Sequence, residues 1–255
     1  VMPQMTQIGG LWIRTDLQQD SAQVQTICQN IEQQLQALDL AYYYQQFPIH
    51  SSAVEELSQQ GFSIQERVTY RIEDVNDMDA LVATFSKNKK RQLQKAQTLH
   101  ADLTLNPEDF YRFHVQCLQQ QGKQINYVRE FLLVLERKTT RLNCGQIIAI
   151  RNAEDELLAA AYVVWDAHSM YYLIPCYSEQ YKDSGAGALL VLEAIKLAHE
   201  KGLAFDFEGS MISGVANHYK QFGSTATTYY SVEKYYKWWF RLATLYNRIK
   251  ERKMH

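Results

Sequence analysis

The sequence predicts an α+β protein in which a mixed sheet is flanked by helices. Three observations predict it. Apolar residues recur at three- and four-residue steps in some stretches. β-Branched and aromatic residues crowd into short runs in others. An antiparallel pair of such runs leads into a strand–loop–helix–strand unit over residues 170–208. The chain has 255 residues, 46% hydrophobic and 21% charged, with 11 Gly and 4 Pro. At about 100–200 residues per domain, this allows one large domain or two modest ones. The apolar share excludes wholesale disorder, collagen and low-complexity filaments.

Taken in order, residues 21–40 place Val24, Ile27, Ile31, Leu35 and Leu38 on one helical stripe, with Asp20 or Ser21 as the cap. Residues 41–47 are aromatic and read as a strand that Pro48 stops. Residues 52–60 form a short helix closed by Gly61, and 62–72 a strand. Residues 75–84 and the basic run 85–99 are helical. Pro107 opens a helix over 108–121, and 129–139 is a second. Residues 144–152 and 156–166 are paired strands around the turn 152–155. A strand at 170–177, a helix at 187–201 and a strand at 203–208 follow. Residues 225–233 are β-rich, and 235–253 is a terminal helix. Gln is abundant before residue 125 and rare after it, which suggests two units. The boundary is expected near residue 100.

Cys28, Cys117, Cys144 and Cys176 lie far apart with no C-x-x-C pair, so buried reduced thiols are expected and no metal or redox pair. The formal charge is −2, unevenly spread. Residues 86–95 carry Lys87, Lys89, Lys90, Arg91 and Lys95 and no acid. Residues 232–255 are also basic. Such patches point to anionic partners. No run of ~18 apolar residues exists, so no transmembrane segment is expected. The start Val1-Met2-Pro3-Gln4 shows no secretory signal and suggests missing upstream residues. A cytoplasmic location is expected.

Three stretches can carry chemistry. Lys182-Asp183-Ser184-Gly185-Ala186-Gly187 lies between a strand and a long helix. Glycines allow close backbone approach, and a helix N-terminus offers free N–H groups and partial positive charge, which suits a diphosphate. Asp206 and Glu208 fall on one face of the 203–208 strand, roughly 6–7 Å apart. Repulsion and burial should raise at least one pKa and so supply a general base near neutral pH. In the segment 218–223, Tyr219 can protonate a leaving group and Lys220 can hold a phosphate or oxyanion. His218 can relay protons, although a lone His is more often a surface or capping residue.

These residues resemble the FemABX-like branch of the GNAT acyltransferase superfamily. Lys182-x-x-Gly185-x-Gly187 resembles the GNAT donor-pyrophosphate loop, with Lys where Gln or Arg is usual. Asp206-Phe207-Glu208-Gly209-Ser210 and Tyr219-Lys220-Gln221-Phe222-Gly223 resemble the branch's D-F-x-G-S and F-K-x-x-F-G patterns, the second one residue shorter. The run Ser86-Lys87-Asn88-Lys89-Lys90-Arg91-Gln92-Leu93-Gln94-Lys95-Ala96 resembles its basic interdomain helix. The matches run in family order over residues 86–231. The resemblance implies tandem GNAT-like domains: an incomplete one at 1–100, ending in the basic helix 86–99, and an acyltransferase domain at 101–255.

In this reading acyl transfer is direct. Lys182, Ser184, Gly185, Ala186 and Gly187 hold the donor, Asp206 or Glu208 deprotonates the acceptor amine, and Tyr219 protonates the leaving group. An N–H of the splayed strand 170–177 stabilises the oxyanion. Lys220, Lys90, Arg91 and Lys95 bind substrate phosphates. The intact glycine loop favours acyl-CoA as donor. The resemblance brings aminoacyl-tRNA as the other donor, with transfer onto a peptidoglycan precursor. No long coiled-coil arm for tRNA is visible. The acceptor is expected to be a small-molecule or lipid-linked precursor. A peripheral membrane contact through 234–253 is weighed against docking of its Trp-rich stripe onto the parent domain, the commoner case. The rival reading is a non-catalytic module that binds a nucleotide or carbohydrate.

Overall fold

The structure is a computed structural model describing residues 2, 4–209 and 213–253. In chain order the elements are α1 (Ser21–Ala37), β1 (Tyr42–Phe47), α2 (Ala53–Gln59), β2 (Ser63–Ile72), α3 (Met78–Thr84) and α4 (Lys87–Lys95). A short 3-10 turn then leads to β3 (His100–Asp102), α5 (Pro107–Gln120), α6 (Arg129–Arg141), β4 (Gly145–Arg151), β5 (Leu157–Trp165) and β6 (Ser169–Tyr177). The chain ends with α7 (Ala186–Lys201), β7 (Ala204–Asp206), α8 (Ser213–Lys220), β8 (Thr225–Tyr235) and α9 (Trp238–Lys253). The expected mixed sheet with flanking helices is present. Among the described residues, no helix is long and apolar enough to cross a membrane.

The chain divides into two compact units, residues 1–68 with 227–255, and residues 69–226. The division therefore falls elsewhere than the expected boundary near residue 100. The cause is visible at the basic helix: α4 lies against the start of α7, so it belongs with the second unit.

In the first unit, β8 lies between β1 and β2, and Tyr42–Phe47 of β1 run antiparallel to β8 from Tyr235 back to Tyr230. Val24, Cys28, Phe47, Leu57, Phe62 and Val232 close its core. Asp20 caps α1 as expected, accepting from the N–H groups of Ala22 and Gln23 at 3.1 Å. The α9 face departs from expectation. Trp238, Trp239, Leu242 and Tyr246 are exposed instead of docked. Phe240 alone of the early aromatics turns inward, to Tyr42 and Tyr235. Tyr235 belongs to β8. The side chains of Leu245, Arg248 and Ile249 lie outside the described residues.

In the second unit the strand order is β2-β7-β6-β5-β4-β3, antiparallel throughout except that β6 and β7 run parallel. Asn106 caps α5 and Pro107 opens it, as the sequence predicts. Tyr162 of β5 reaches Phe110 of α5, and its hydroxyl meets Thr139 of α6. Strand alternation turns Ala159, Ala161 and Val163 to the other face, which the apolar α7 covers. The basic helix is shorter than expected: it ends at Lys95, and β3 was not foreseen. The four thiols are free, and Cys28, Cys117 and Cys176 are buried.

Candidate active site

The site lies in the second unit, where β6 and β7 part. Their parallel pairing covers only Ser169↔Ala204, Met170↔Phe205 and Tyr171↔Asp206. β7 then stops, while β6 continues to Tyr177. A ligand site at the carboxyl ends of parting parallel strands is the expected place in an open sheet. Aromatic side chains fill the opening: Phe207 stacks on Tyr219 at 4.4 Å, and the Tyr172 and Tyr177 hydroxyls meet at 2.9 Å.

Because β7 ends at Asp206, the expected alternation fails beyond it. Glu208 adopts φ +61° and does not share a strand face with Asp206. Asp206 is fully buried. It accepts from Thr69 Oγ1 at 2.5 Å, Arg71 Nη1 at 2.9 Å and the Glu208 N–H at 2.8 Å. Burial pushes its carboxyl up, and these donors pull it back. Arg71 is itself held by Glu73 and by Ser169 Oγ at 3.1 Å. The carboxylate expected to share catalysis is thus enclosed, and it fixes the main chain at Glu208. Glu208 is only partly buried by accessible surface. Burial, and then the negative charge of Asp206, push its carboxyl up to about 8. Burial and the Glu208 charge push the Tyr219 phenol up to about 12, so it stays protonated.

This arrangement separates the two acids experimentally. Asp206→Asn keeps the Thr69 and Glu208 contacts but removes one charge. It should cost about 1–3 kcal/mol of stability. It should also move the ionisation of Glu208 to lower pH, because a raising influence is gone. A kcat–pH profile checks this: a loss as large as that of removing a general base would make Asp206 a reacting group.

The glycine loop is less open than its sequence suggests. Gly185 is the left-handed N-cap of α7 at φ +87°, and a Cβ there would lie 2.1 Å from the carbonyl oxygen of Gln92 on α4. Ser184 Oγ takes the Ala186 N–H at 3.2 Å, while the Gly187 N–H has no protein partner among the described residues. Lys182 is exposed and paired with Glu179 at 2.7 Å. Lys182, Gly185, Ala186 and Gly187 line a cavity of about 200 Å³ together with Lys89, Gln92, Tyr177 and His218; Ser184 is not part of the lining. A second cavity, of about 460 Å³, opens on the far side of Tyr177 and His218, and Tyr219, His114 and Cys117 line it.

The predicted phosphate binders fare differently. Lys90 donates to the Ala83 carbonyl at 2.7 Å, Arg91 and Lys95 are exposed, and Lys220 is exposed with its ammonium 5.8 Å from the Tyr70 ring centre. None of the four lines either cavity. Lys89, which sequence reasoning passed over, is 3% exposed and faces the first one. Helical spacing carries the signal: Lys89, Gln92, Leu93 and Ala96 share one stripe of the helix, the stripe that meets α7. His218 also lies between the cavities, contrary to the surface or capping role that is commoner for a lone His. Ser210 of the D-F-x-G-S resemblance lies outside the described residues.

Comparison with known proteins gives one family. A family model described as an acetyltransferase (GNAT) domain matches residues 83–221, more than half of the chain, including the glycine loop, Asp206, Glu208 and Tyr219 but not Thr69 and Arg71. No curated protein matches by sequence. Among solved structures, FemX is similar with a TM-score of 0.69 at 11% identity, over 84% of this chain and 77% of that one. The C-terminal domain of a putative lysylphosphatidylglycerol synthetase from Agrobacterium fabrum has a TM-score of 0.58 at 10% identity, over 84% and 74%. A tandem GNAT protein from the clavulanic acid biosynthesis pathway has 0.51 at 11%, over 88% and 73%. At such identities the likeness is one of fold.

Proposed function

Since the chain belongs to the acetyltransferase (GNAT) domain family, we propose that it moves an acyl or aminoacyl group from an activated donor, preferably acyl-CoA, to an amine of a cell-envelope or sugar/peptide precursor. The observation that carries this is the pair at the parted strands. Glu208 follows Phe207, whose ring stacks on Tyr219 at 4.4 Å; burial raises the Glu208 carboxyl to about 8, and burial and the Glu208 charge raise the Tyr219 phenol to about 12.

The donor's phosphates rest at the first turn of α7, and its acyl carbonyl lies along β6. Glu208 takes a proton from the acceptor amine. The amine nitrogen bonds to the carbonyl carbon, and a main-chain N–H of β6 meets the oxyanion. Pro175 has no N–H, so the donor is another residue of that strand. The carbon–sulfur bond breaks, and Tyr219 gives its proton to the thiolate. Glu208 is then protonated and Tyr219 ionised. Returning the proton from the first to the second is downhill, because the carboxyl is the stronger acid of the two. The residues are thereby reset with no covalent enzyme intermediate, and proximity supplies much of the rate.

A second reading is FemABX-type transfer from aminoacyl-tRNA onto a peptidoglycan precursor, with a ribose oxygen as leaving atom. The fold likeness to FemX favours it. The experiment offers labelled acyl-CoA and labelled aminoacyl-tRNA, each with amine acceptors. Acyl transfer with release of free CoA is expected. Failure to bind any CoA thioester at millimolar levels removes the preferred donor. Binding without transfer from either donor leaves the non-catalytic module as the reading.

A further inference from the structure

The first cavity contains a cation that lacks a counter-charge. The Lys89 ammonium is almost wholly enclosed. It lies 3.1 Å from His218 Nδ1, 3.2 Å from Gln92 Oε1 and 4.7 Å from the centre of the Phe222 ring. Among the described residues, no carboxylate is within ion-pair distance of it. His218 is neutral, because burial and then the Lys89 charge hold its imidazole near 4. Its Nδ1 therefore accepts from Lys89. All three partners are thus uncharged acceptors or a π face. An enclosed ammonium without an anion is costly, and in this fold the cost is borne inside a cavity.

The same cavity is faced by the unpartnered Gly187 N–H and the positive end of a 16-residue helix. Lys182, the cation expected there, is already committed to Glu179 on the surface. We infer that Lys89 is the binding residue for the phosphate-bearing handle of the donor, completing with the first turn of α7 a receptor for a diphosphate. His218 and Gln92 aim the ammonium. This rests on the transfer reading above and adds to it the group that recognises the donor's charge.

A pH signature follows. Burial lowers the Lys89 ammonium to about 8. The other titratable groups facing the cavity are His218, Tyr177, Tyr181 and Lys182. His218 titrates near 4, and the two phenols and the Lys182 ammonium are each raised above their ordinary values. Between pH 7 and 9, Lys89 is thus the group lining this cavity that changes charge; Glu208, which also titrates near 8, is not part of the lining. A bound anion favours the ammonium, so binding takes up a proton near pH 8, and affinity falls as pH rises beyond it.

Calorimetry with CoA and with inorganic pyrophosphate, on the full chain, tests this. Lys89→Met should weaken CoA binding about 10- to 100-fold. It should also abolish both the pH dependence and the proton uptake, which two buffers of different ionisation enthalpy reveal. Its melting temperature should stay the same or rise, since an unpaired buried charge has been replaced by an apolar chain. Lys89→Arg should restore part of the affinity. Lys196→Gln, an exposed charge on α7, should leave affinity within about twofold. If CoA binds the wild type and folded Lys89→Met equally, the inference is overturned while the transfer reading survives. If the wild type binds neither probe at any pH, the inference falls and acyl-CoA is removed as the donor, while transfer from aminoacyl-tRNA is left to the donor experiment above.

Discussion

Replacing Glu208 by Gln is expected to lower kcat by about 10²–10⁴-fold, the range for loss of a positioned general base. Gln keeps the shape and a hydrogen-bonding carbonyl but cannot accept the amine's proton. Because the wild-type carboxyl titrates near 8, wild-type kcat should climb with pH and level off above that value. The variant should lose this limb. Stability should move the opposite way. The folded carboxyl holds its proton up to about 8, whereas its ordinary value is 4.5. Between those pH values the unfolded chain has lost a proton that the folded chain retains. Ionisation therefore erodes stability as pH rises through the window, and all of the penalty is present above it. Glu208→Gln has nothing to ionise. Relative to wild type it should melt higher at pH 9 than at pH 5. Parallel kcat–pH profiles and melting curves check both arms. A wild-type rate carried by the variant would remove Glu208 from the chemistry.

Gly185→Ala should be the most disruptive single methyl group in the site. At φ +87° any L side chain is strained by about 1–2 kcal/mol. Here the new Cβ also meets the Gln92 carbonyl oxygen at 2.1 Å and the Ala96 Cβ at 3.2 Å. The oxygen is main chain, so α4 itself must move. We expect a total cost of about 3–5 kcal/mol, near the top of the range for point substitutions. At about 2–4 °C per kcal/mol, that is a fall of roughly 10 °C in Tm. Gly202→Ala provides the internal comparison. Gly202 has a similar φ, +65°, but its Cβ would meet nothing within 4 Å. It should cost the strain alone. Equal melting temperatures for the two variants would show that α4 does not bear on the loop. Because α4 carries Lys89, Gly185→Ala should also lose affinity for CoA beyond what its stability explains.

The two variants mark where sequence reasoning works and where it ends. The helix stripes, the Asp20 and Asn106-Pro107 starts, the hairpin at 152–155 and the glycine-bounded helix 187–201 were legible because each rests on short-range chemistry. Alternation, capping and turn preference act within a few residues. Glu208 and Tyr219 stand out in the sequence for the same reason, as acid and phenol in recognisable local patterns, and the Glu208 variant tests the role proposed for the acid. The basic helix was legible as a charged segment, but its cations could not be ranked. Helical spacing puts Lys89 on the stripe of Leu93 and Ala96, but the sequence does not say what that stripe meets. Only the side of the helix that meets α7 separates one enclosed ammonium from three on the outside.

Asp206 teaches the same lesson from the other direction. Its place in the D-F-x-G-S resemblance suggested a reacting carboxylate, and nothing local said otherwise. Thr69 and Arg71, more than a hundred residues earlier in the chain, take up its oxygens, and no local pattern reports so distant a partner. By itself the sequence determined the layered α+β class, the order of the elements and the residue types available for acyl transfer, because those follow from local propensity and spacing. Tertiary structure alone decided which carboxylate is fully buried and which is only partly so, and which lysine enters the cavity, because burial and charge pairing depend on neighbours that only folding brings together.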